Sequence, residues 1–145
     1  MELCIKEFKE LTGTELYEIL KLRVNVFVVE QNCPYRELDD KDQDALHVYL
    51  RDADAIAAYL RVLAPGVSFA EASIGRVIAA HRRCGLGTQI LQEGIRAARD
   101  RFHANAIRIE AQTYAKAFYE HQGFQRVSEE FLEDGIAHIQ MLLEL

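Results

Sequence analysis

The strongest constraint on the fold is a strand-to-helix transition in the middle of the chain. The apolar run SIGRVIAA predicts a strand over Ser73–Ala79. The segment HRRCGLGTQIL follows from residue 81 and leads into a helix with an apolar face formed by Leu86, Ile90, Leu91, Ile95, Ala98 and Phe102. Because the free N–H groups and the dipole of a helix start attract anions, the sequence predicts a phosphate site here.

The remaining patterns predict an α+β protein. Alternation at Leu3–Phe8 indicates a first strand, and a capping box at Thr12–Glu15 precedes a predicted helix over Glu15–Val29. Residues 30–44 are predicted to form a polar, solvated loop. Further strands are predicted at Ala45–Arg51, Ala55–Leu63, Ala106–Ala111, Phe124–Ser128 and Ala137–Leu143, with a short helix at Tyr114–His121. The acidic segment EEFLEDG separates the last two strands. This order favours a central mixed, mostly antiparallel sheet flanked by helices.

Composition narrows the class of protein. The 145 residues suit one domain over residues 1–145, and the net charge of −6 argues against nucleic acid as a partner. No stretch approaches the ~18 apolar residues of a membrane span. The charged N-terminus lacks a signal-peptide core, and three scattered cysteines suit a reducing compartment, so we expect a cytoplasmic protein without a membrane partner. No metal is expected, since CxxC and HExxH motifs are absent and Asp40-x-Asp42-x-Asp44 lacks the glycine and glutamate of a calcium loop.

Three phosphate-binding motifs compete at the helix start. The chain has no Gly-Lys dipeptide for a P-loop, and Ile90 replaces the third glycine of a dinucleotide fingerprint. The third motif, [QR]xxGxG, matches Arg82–Gly87 and resembles the pyrophosphate loop of the GNAT superfamily of acyl-CoA N-acyltransferases. The segment QTYAKAFYEHQGF at Gln112–Phe124 is similar to a later family motif, with Gln112 where many members have asparagine.

Two more segments resemble the ElaA-type branch of this superfamily. They are FVVEQNCPYRELDDKD at Phe27–Asp42 and EDGIAHIQM at Glu133–Met141. The resemblance covers essentially the whole chain and implies the GNAT fold, with acetyl-CoA as the default donor and an amine that attacks the thioester directly. In this family the donor lies between two splayed parallel strands, here Ser73–Ala79 and Ala106–Ala111. A small-molecule amine and a protein or peptide amine are both open as acceptors.

The resemblance also implies roles for individual residues. Tyr119 is the candidate acid for the departing thiolate, because a phenol of pKa about 10 is protonated at neutral pH. A backbone N–H near Ile78 is the candidate donor to the thioester oxygen. The donor molecule would be bound by Val77, Ile78, Ala79, Arg82, Arg83, Cys84, Gly85, Leu86, Gly87, Thr88, Gln112, Ala115 and Phe118.

The acceptor side of the site is open to several interpretations. Glu30, His47, Glu110 and His138 are alternative general bases, and a structural role stands beside the catalytic one for each of them. Arg76 is predicted either to pair with Glu110 or to line the acceptor site. The acidic residues between 39 and 44 are a candidate attractor for a cationic amine.

Two other functions and one assembly are also considered. A non-catalytic acyl-CoA-binding module would keep the loop at residues 82–88 without productive acid chemistry. A nucleotide-binding protein would be stabilised by ATP or NAD rather than by CoA. Exposed edge strands near the C-terminus would support a homodimer.

Overall fold

The computed structural model describes residues 1–80 and 85–145. Three α-helices are formed there: α1 (Gly13–Val24), α2 (Leu86–Phe102) and α3 (Lys116–Glu120). The strands are β1 (Glu2–Glu7), β2 (Ala45–Asp52), β3 (Ala55–Leu63), β4 (Ser73–Ala79), β5 (Ala106–Gln112), β6 (Gln125–Arg126), β7 (Phe131–Glu133) and β8 (Ile136–Glu144). None of the described helices is long and apolar enough to cross a membrane.

The strands form two sheets that meet at one point. The first sheet has the order β1-β2-β3-β4, and the second has the order β5-β8-β6, with β7 also paired to β8. All of these pairings are antiparallel. A single parallel bridge joins Ala72 to Ile107, where the Arg108 N–H donates to the Ala72 carbonyl at 2.9 Å. The mixed, mostly antiparallel α+β architecture expected from the sequence is therefore confirmed.

Two apolar cores lie on opposite faces of the first sheet. The apolar face of α2 packs on one side, where Gly94 permits a close approach, because an added Cβ would lie 2.8 Å from both methyl groups of Leu60. The other face is covered by α1, whose Ile19 packs against Tyr49 and Tyr59. Because successive strand side chains point to opposite faces, β3 supplies residues to both cores and is buried along nearly its whole length.

The sequence-based element bounds differ most from the structure in three places. The predicted helix Glu15–Val29 is α-helical only to Val24 and continues as a π-helical segment over Asn25–Glu30. The predicted strand Phe124–Ser128 shortens to β6. The acidic segment contains β7, which turns into β8 through Asp134-Gly135, both with positive φ. Such an Asp-Gly pair is the usual signal for a two-residue hairpin, so the sequence contained this information.

Candidate active site

A cleft of about 1470 Å³ opens where β4 and β5 separate beyond the Ala72–Ile107 bridge. Both strands line it, together with the π-helical segment after α1, the α3 region and the β7–β8 hairpin. A bulge in β4 lies on the wall of this cleft: Arg76 has a φ of 55°, and the ladder to β3 shifts register between Gly75 and Ile78. A non-glycine residue in this conformation is strained, and such strain requires support from its surroundings.

The orientation of the β4 backbone determines which of its N–H groups face the cleft. The Ala80 N–H donates to the Ala57 carbonyl of β3 at 2.8 Å, and Ile78 is paired with Tyr59. Alternate residues of a strand direct their backbone groups to opposite edges. The N–H of Ile78 therefore faces β3, whereas those of the flanking Val77 and Ala79 face the cleft.

The start of α2 provides further backbone donors. Gly85 has a φ of 78° and precedes the helix, and the first intrahelical bond runs from the Gln89 N–H to the Gly85 carbonyl at 3.0 Å. The N–H groups of Leu86, Gly87 and Thr88 thus lack intrahelical acceptors. A Cβ at Gly87 would lie 3.3 Å from the Phe118 ring, so glycine lets the helix start approach α3. The predicted ligands Arg82, Arg83 and Cys84 lie outside the described residues.

Tyr119 and Phe118 stand on α3 beside the cleft, and Ala115, which precedes the helix, also lines it. The Tyr119 ring contacts Phe118 and Phe124 edge-on, with centroids 5.0 and 5.7 Å apart. Burial raises the pKa of the phenol, so the hydroxyl is protonated at neutral pH. No hydrogen bond ties this hydroxyl to any other described residue.

Gln112 ends β5 and contacts a distant part of the chain. Its Nε2 donates to Oε1 of Gln31 at 3.2 Å, and the reverse contact measures 3.5 Å. This amide pair ties the β5 end of the cleft to the segment after α1. Both side chains line the cleft, so Gln112 remains within reach of a bound molecule.

A closed ring of six charges borders the cleft, and we call it the charge ring. Its ion pairs run from Arg23 to Glu37, from Glu37 to Arg76, from Arg76 to Asp39, from Asp39 to Arg61, from Arg61 to Asp42 and from Asp42 back to Arg23. Five of these nitrogen–oxygen separations lie between 2.6 and 3.4 Å. Three guanidinium groups thus alternate with three carboxylates, and the ring is neutral.

The charge ring corrects the prediction of a solvated loop over residues 30–44. Glu37 and Asp42 are buried, and Tyr35 donates its hydroxyl to Glu37. Burial alone would raise the pKa of Asp39, but the hydrogen bond from Arg61 and the positive charges of Arg61 and Arg76 hold it well below its usual range. Because guanidinium groups neutralise these carboxylates, Asp39 and Asp42 are unavailable to attract a cationic amine, contrary to that interpretation.

Arg76 and His47, two of the residues predicted for the acceptor side, have other interactions in the structure than the sequence suggested. Arg76 pairs with Glu37 and Asp39 rather than with Glu110, and its guanidinium lies 5.6 Å from the Tyr35 ring centroid. His47 is fully buried outside the cleft. Its ring nitrogens lie 2.8 Å from the Tyr59 hydroxyl and 2.9 Å from the Asp42 carbonyl.

His47 is therefore a structural residue rather than a base. Burial lowers its pKa, so the ring is neutral, and neither nitrogen is free for a substrate. The other candidates, Glu30, Glu110 and His138, all line the cleft. The pKa of Glu110 is raised, first by burial and then by the charge of Glu133.

The charge ring was not found by sequence reasoning, although two signals existed. Arg23 follows Ile19 by four residues and so falls on the buried face of α1. Arg61 stands in the apolar run between Leu60 and Val62. A charge in either position requires a partner, because an unpaired buried charge is very costly.

Comparison with known proteins agrees with this architecture. Residues 15–145 match a model of the acetyltransferase (GNAT) domain. A structure of an acyl-CoA N-acyltransferase from Pseudomonas aeruginosa is 37% identical, with a TM-score of 0.92 and coverage of 99% of both chains. The chain therefore belongs to the GNAT family of acetyltransferases, as its sequence predicts, and is an acyltransferase of a family that uses acyl-CoA.

More specific relatives define the branch. The ElaA protein of Escherichia coli is 36% identical over 140 residues, which cover 94% of this chain and 92% of ElaA. The crystal structure of Escherichia coli ElaA has a TM-score of 0.92 at 35% identity, with 99% of both chains covered. A UPF0039 protein of Schizosaccharomyces pombe is 36% identical over 149 residues, covering all of this chain and 98% of the relative. The chain is thus of the ElaA type.

Proposed function

We propose that the protein transfers an acetyl group from acetyl-CoA to a primary amine by direct attack of the amine on the thioester. The observation that carries this proposal is the arrangement of the cleft. Gly87 at the start of α2, the cleft-facing N–H groups of β4 and the Tyr119 side chain all border one continuous space.

The donor end of the cleft suits an extended molecule with a phosphate head. The N–H groups of Leu86, Gly87 and Thr88 would hold a pyrophosphate at the helix start, aided by Arg82 and Arg83 as the sequence predicts. The unpaired edge of β4 at Val77 and Ala79 offers main-chain groups to an extended amide arm. Bound acetyl-CoA supplies an electrophilic carbonyl carbon and a thiol leaving group.

The chain itself supplies the polar groups that the chemistry needs. A cleft-facing N–H of Val77 or Ala79 would stabilise the negative charge that develops on the thioester oxygen. The Tyr119 phenol would protonate the departing thiolate, since its raised pKa keeps the proton available. The packing of its ring against Phe118 and Phe124 holds the hydroxyl beside the cleft.

The substitution Tyr119→Phe tests the acid. We expect a loss of ~10²-fold or more in kcat, the usual contribution of a positioned proton donor, with little change in CoA affinity. Release of CoA thiol from acetyl-CoA with a panel of amines measures kcat, and thermal shift with CoA measures binding. Tyr17→Phe is the matched control, because Tyr17 is 70% exposed on α1 and does not line the cleft.

Each outcome separates one part of the proposal from the others. An unchanged kcat in Tyr119→Phe would remove Tyr119 as the acid. Stabilisation by ATP or NAD but not by CoA would reject the donor. Binding of CoA without thiol release for any amine would favour a non-catalytic acyl-CoA-binding module.

A further inference from the structure

His138 of β8 is a buried histidine with only one nitrogen in use. The residue is 9% exposed, and its ring stacks on Phe131 with centroids 6.0 Å apart. Nδ1 lies 2.7 Å from the carbonyl oxygen of Ile136. A carbonyl only accepts hydrogen bonds, so Nδ1 must carry the hydrogen, and the neutral ring then has its lone pair on Nε2.

Nε2 of His138 is an uncommitted acceptor beside the cleft. Its distance to Oε2 of Glu133 is 3.7 Å, which is too long for a hydrogen bond. Across the described part of the chain, no donor is hydrogen-bonded to this nitrogen. His138 lines the cleft, so a cleft-bound molecule can reach the lone pair. This arrangement differs from that of His47, in which both nitrogens are occupied.

The surroundings of Nε2 are acidic. In the β5–β8 ladder, Gln112 lies opposite His138 and Glu110 lies opposite Gln140, so all four side chains share one face of the sheet. Glu110 has no ion-pair partner within residues 1–80 and 85–145. The charge of Glu133 raises the pKa of Glu110 further, after burial, whereas His138 and then Lys41 act in the opposite direction. Two carboxylates thus flank the histidine, and a cation between them would relieve their repulsion.

We propose that His138 is the general base of the reaction and that the acceptors are alkylamines, which enter as ammonium ions held between Glu110 and Glu133. This inference rests on the transfer proposed above. An alkylamine is almost wholly protonated at neutral pH and therefore cannot attack until it loses a proton. Nε2 of His138 lies beside the cleft, and its lone pair in the neutral ring can take this proton.

The proton balance of this sequence is complete. The ammonium gives one proton to Nε2, and the neutral amine attacks the thioester carbon. The C–N bond forms as the C–S bond breaks, and the thiolate takes the proton of Tyr119. The second proton lost by the nitrogen restores the phenol, and His138 releases its proton to solvent.

A pair of isosteric amines tests the assignment. Ethylamine is cationic at neutral pH, whereas methoxyamine has the same size and is uncharged, so it needs no base. We expect His138→Asn to lower kcat/KM by ~10²-fold for ethylamine and by only a few-fold for methoxyamine. Asparagine suits this comparison because its amide nitrogen can replace Nδ1 as the donor to Ile136 while Nε2 is lost.

The pH profile gives a second readout. Without a base, only the small neutral fraction of ethylamine can attack, and this fraction falls about tenfold for each unit that the pH drops below the amine pKa. We therefore expect kcat/KM of His138→Asn with ethylamine to fall more steeply with decreasing pH than that of the natural protein. Equal losses for both amines in that variant would show a structural role for His138, and no loss for ethylamine would overturn the assignment of the base.

A measurement of the His138 tautomer tests this inference independently of the proposed acyl transfer. Nitrogen-15 NMR of the imidazole rings should show hydrogen on Nδ1 of His138 and a shift of its Nε2 resonance on addition of ethylammonium. His138→Asn identifies the resonance. Hydrogen on Nε2 or no response to ethylammonium would overturn the inference without any turnover, whereas a correct tautomer without thiol release from any amine would reject the transfer alone.

Discussion

The charge ring and the acidic wall formed by Glu110 and Glu133 border the same cleft but differ in how their charges are compensated. In the charge ring, every carboxylate lies between two guanidinium groups. In the acidic wall, two carboxylates flank one histidine that has a free nitrogen. The fully paired charges hold the backbone in place, whereas we propose that the incompletely paired ones bind and deprotonate the acceptor amine.

The main role of the charge ring is to position the backbone of the β4 bulge. It joins α1, the loop after it, β3 and β4, and it includes Arg76, the strained residue of the β4 bulge. Buried ion pairs add little net stability, because desolvation offsets their attraction. What they provide is a defined position for the bulge, and the bulge determines which β4 N–H groups face the cleft.

The largest expected effect comes from the substitution Arg23→Met, which disrupts the charge ring. Arg23 is fully buried, and its loss leaves Glu37 and Asp42 without one of their two partners. We expect a loss of about 3–5 kcal/mol in the free energy of unfolding, measured by urea denaturation. Arg96→Met is the control, since Arg96 forms an exposed pair with Glu93 and should change stability by less than ~0.5 kcal/mol. Equal stability of the two variants would contradict the structural role of the ring.

The contribution of the charge ring to stability should fall in acid. The pKa values of Asp39 and Asp42 are lowered in the folded protein. Their contribution is therefore full above the ordinary aspartate pKa of about 3.9 and is lost as the pH falls through their folded values. We expect Asp39→Asn to reduce the free energy of unfolding at pH 6, with the difference shrinking toward pH 2. A difference independent of pH would show that the charge is not responsible.

The smallest expected change comes from Glu110→Gln. The pKa shift of Glu110 is opposite in direction to those of Asp39 and Asp42, so the effect on stability has the opposite sign. The folded-state pKa of Glu110 is raised, so its charged form disfavours the fold, and this penalty appears as the pH rises above the ordinary glutamate pKa of about 4.3. We expect a slightly higher Tm for Glu110→Gln at pH 7 and no difference at pH 3, together with a higher KM for ethylamine. A lower Tm at pH 7 would place Glu110 with the compensated charges of the ring.

Local pattern was sufficient for the strands and the helix start that line the cleft. The bounds of β3 and β4 follow the prediction, and α2 begins within the predicted glycine turn, because periodicity and turn chemistry are short-range properties. The charge ring was missed because its members are up to 53 residues apart, from Arg23 to Arg76, and nothing in a local pattern encodes the pairing of distant charges. Tyr119 was named from the family motif, and its catalytic role stays a prediction.

The sequence by itself determined the fold family, the glycine turn before α2 and the group of candidate residues. Only the tertiary structure distinguished among those candidates. His47 and His138 both stand on strands, but His47 is enclosed by Tyr59 and the Asp42 carbonyl, whereas His138 keeps one nitrogen free at the cleft. The reason is physical: the chemistry of a titratable group depends on the partners that surround it, and long-range packing decides which partners those are.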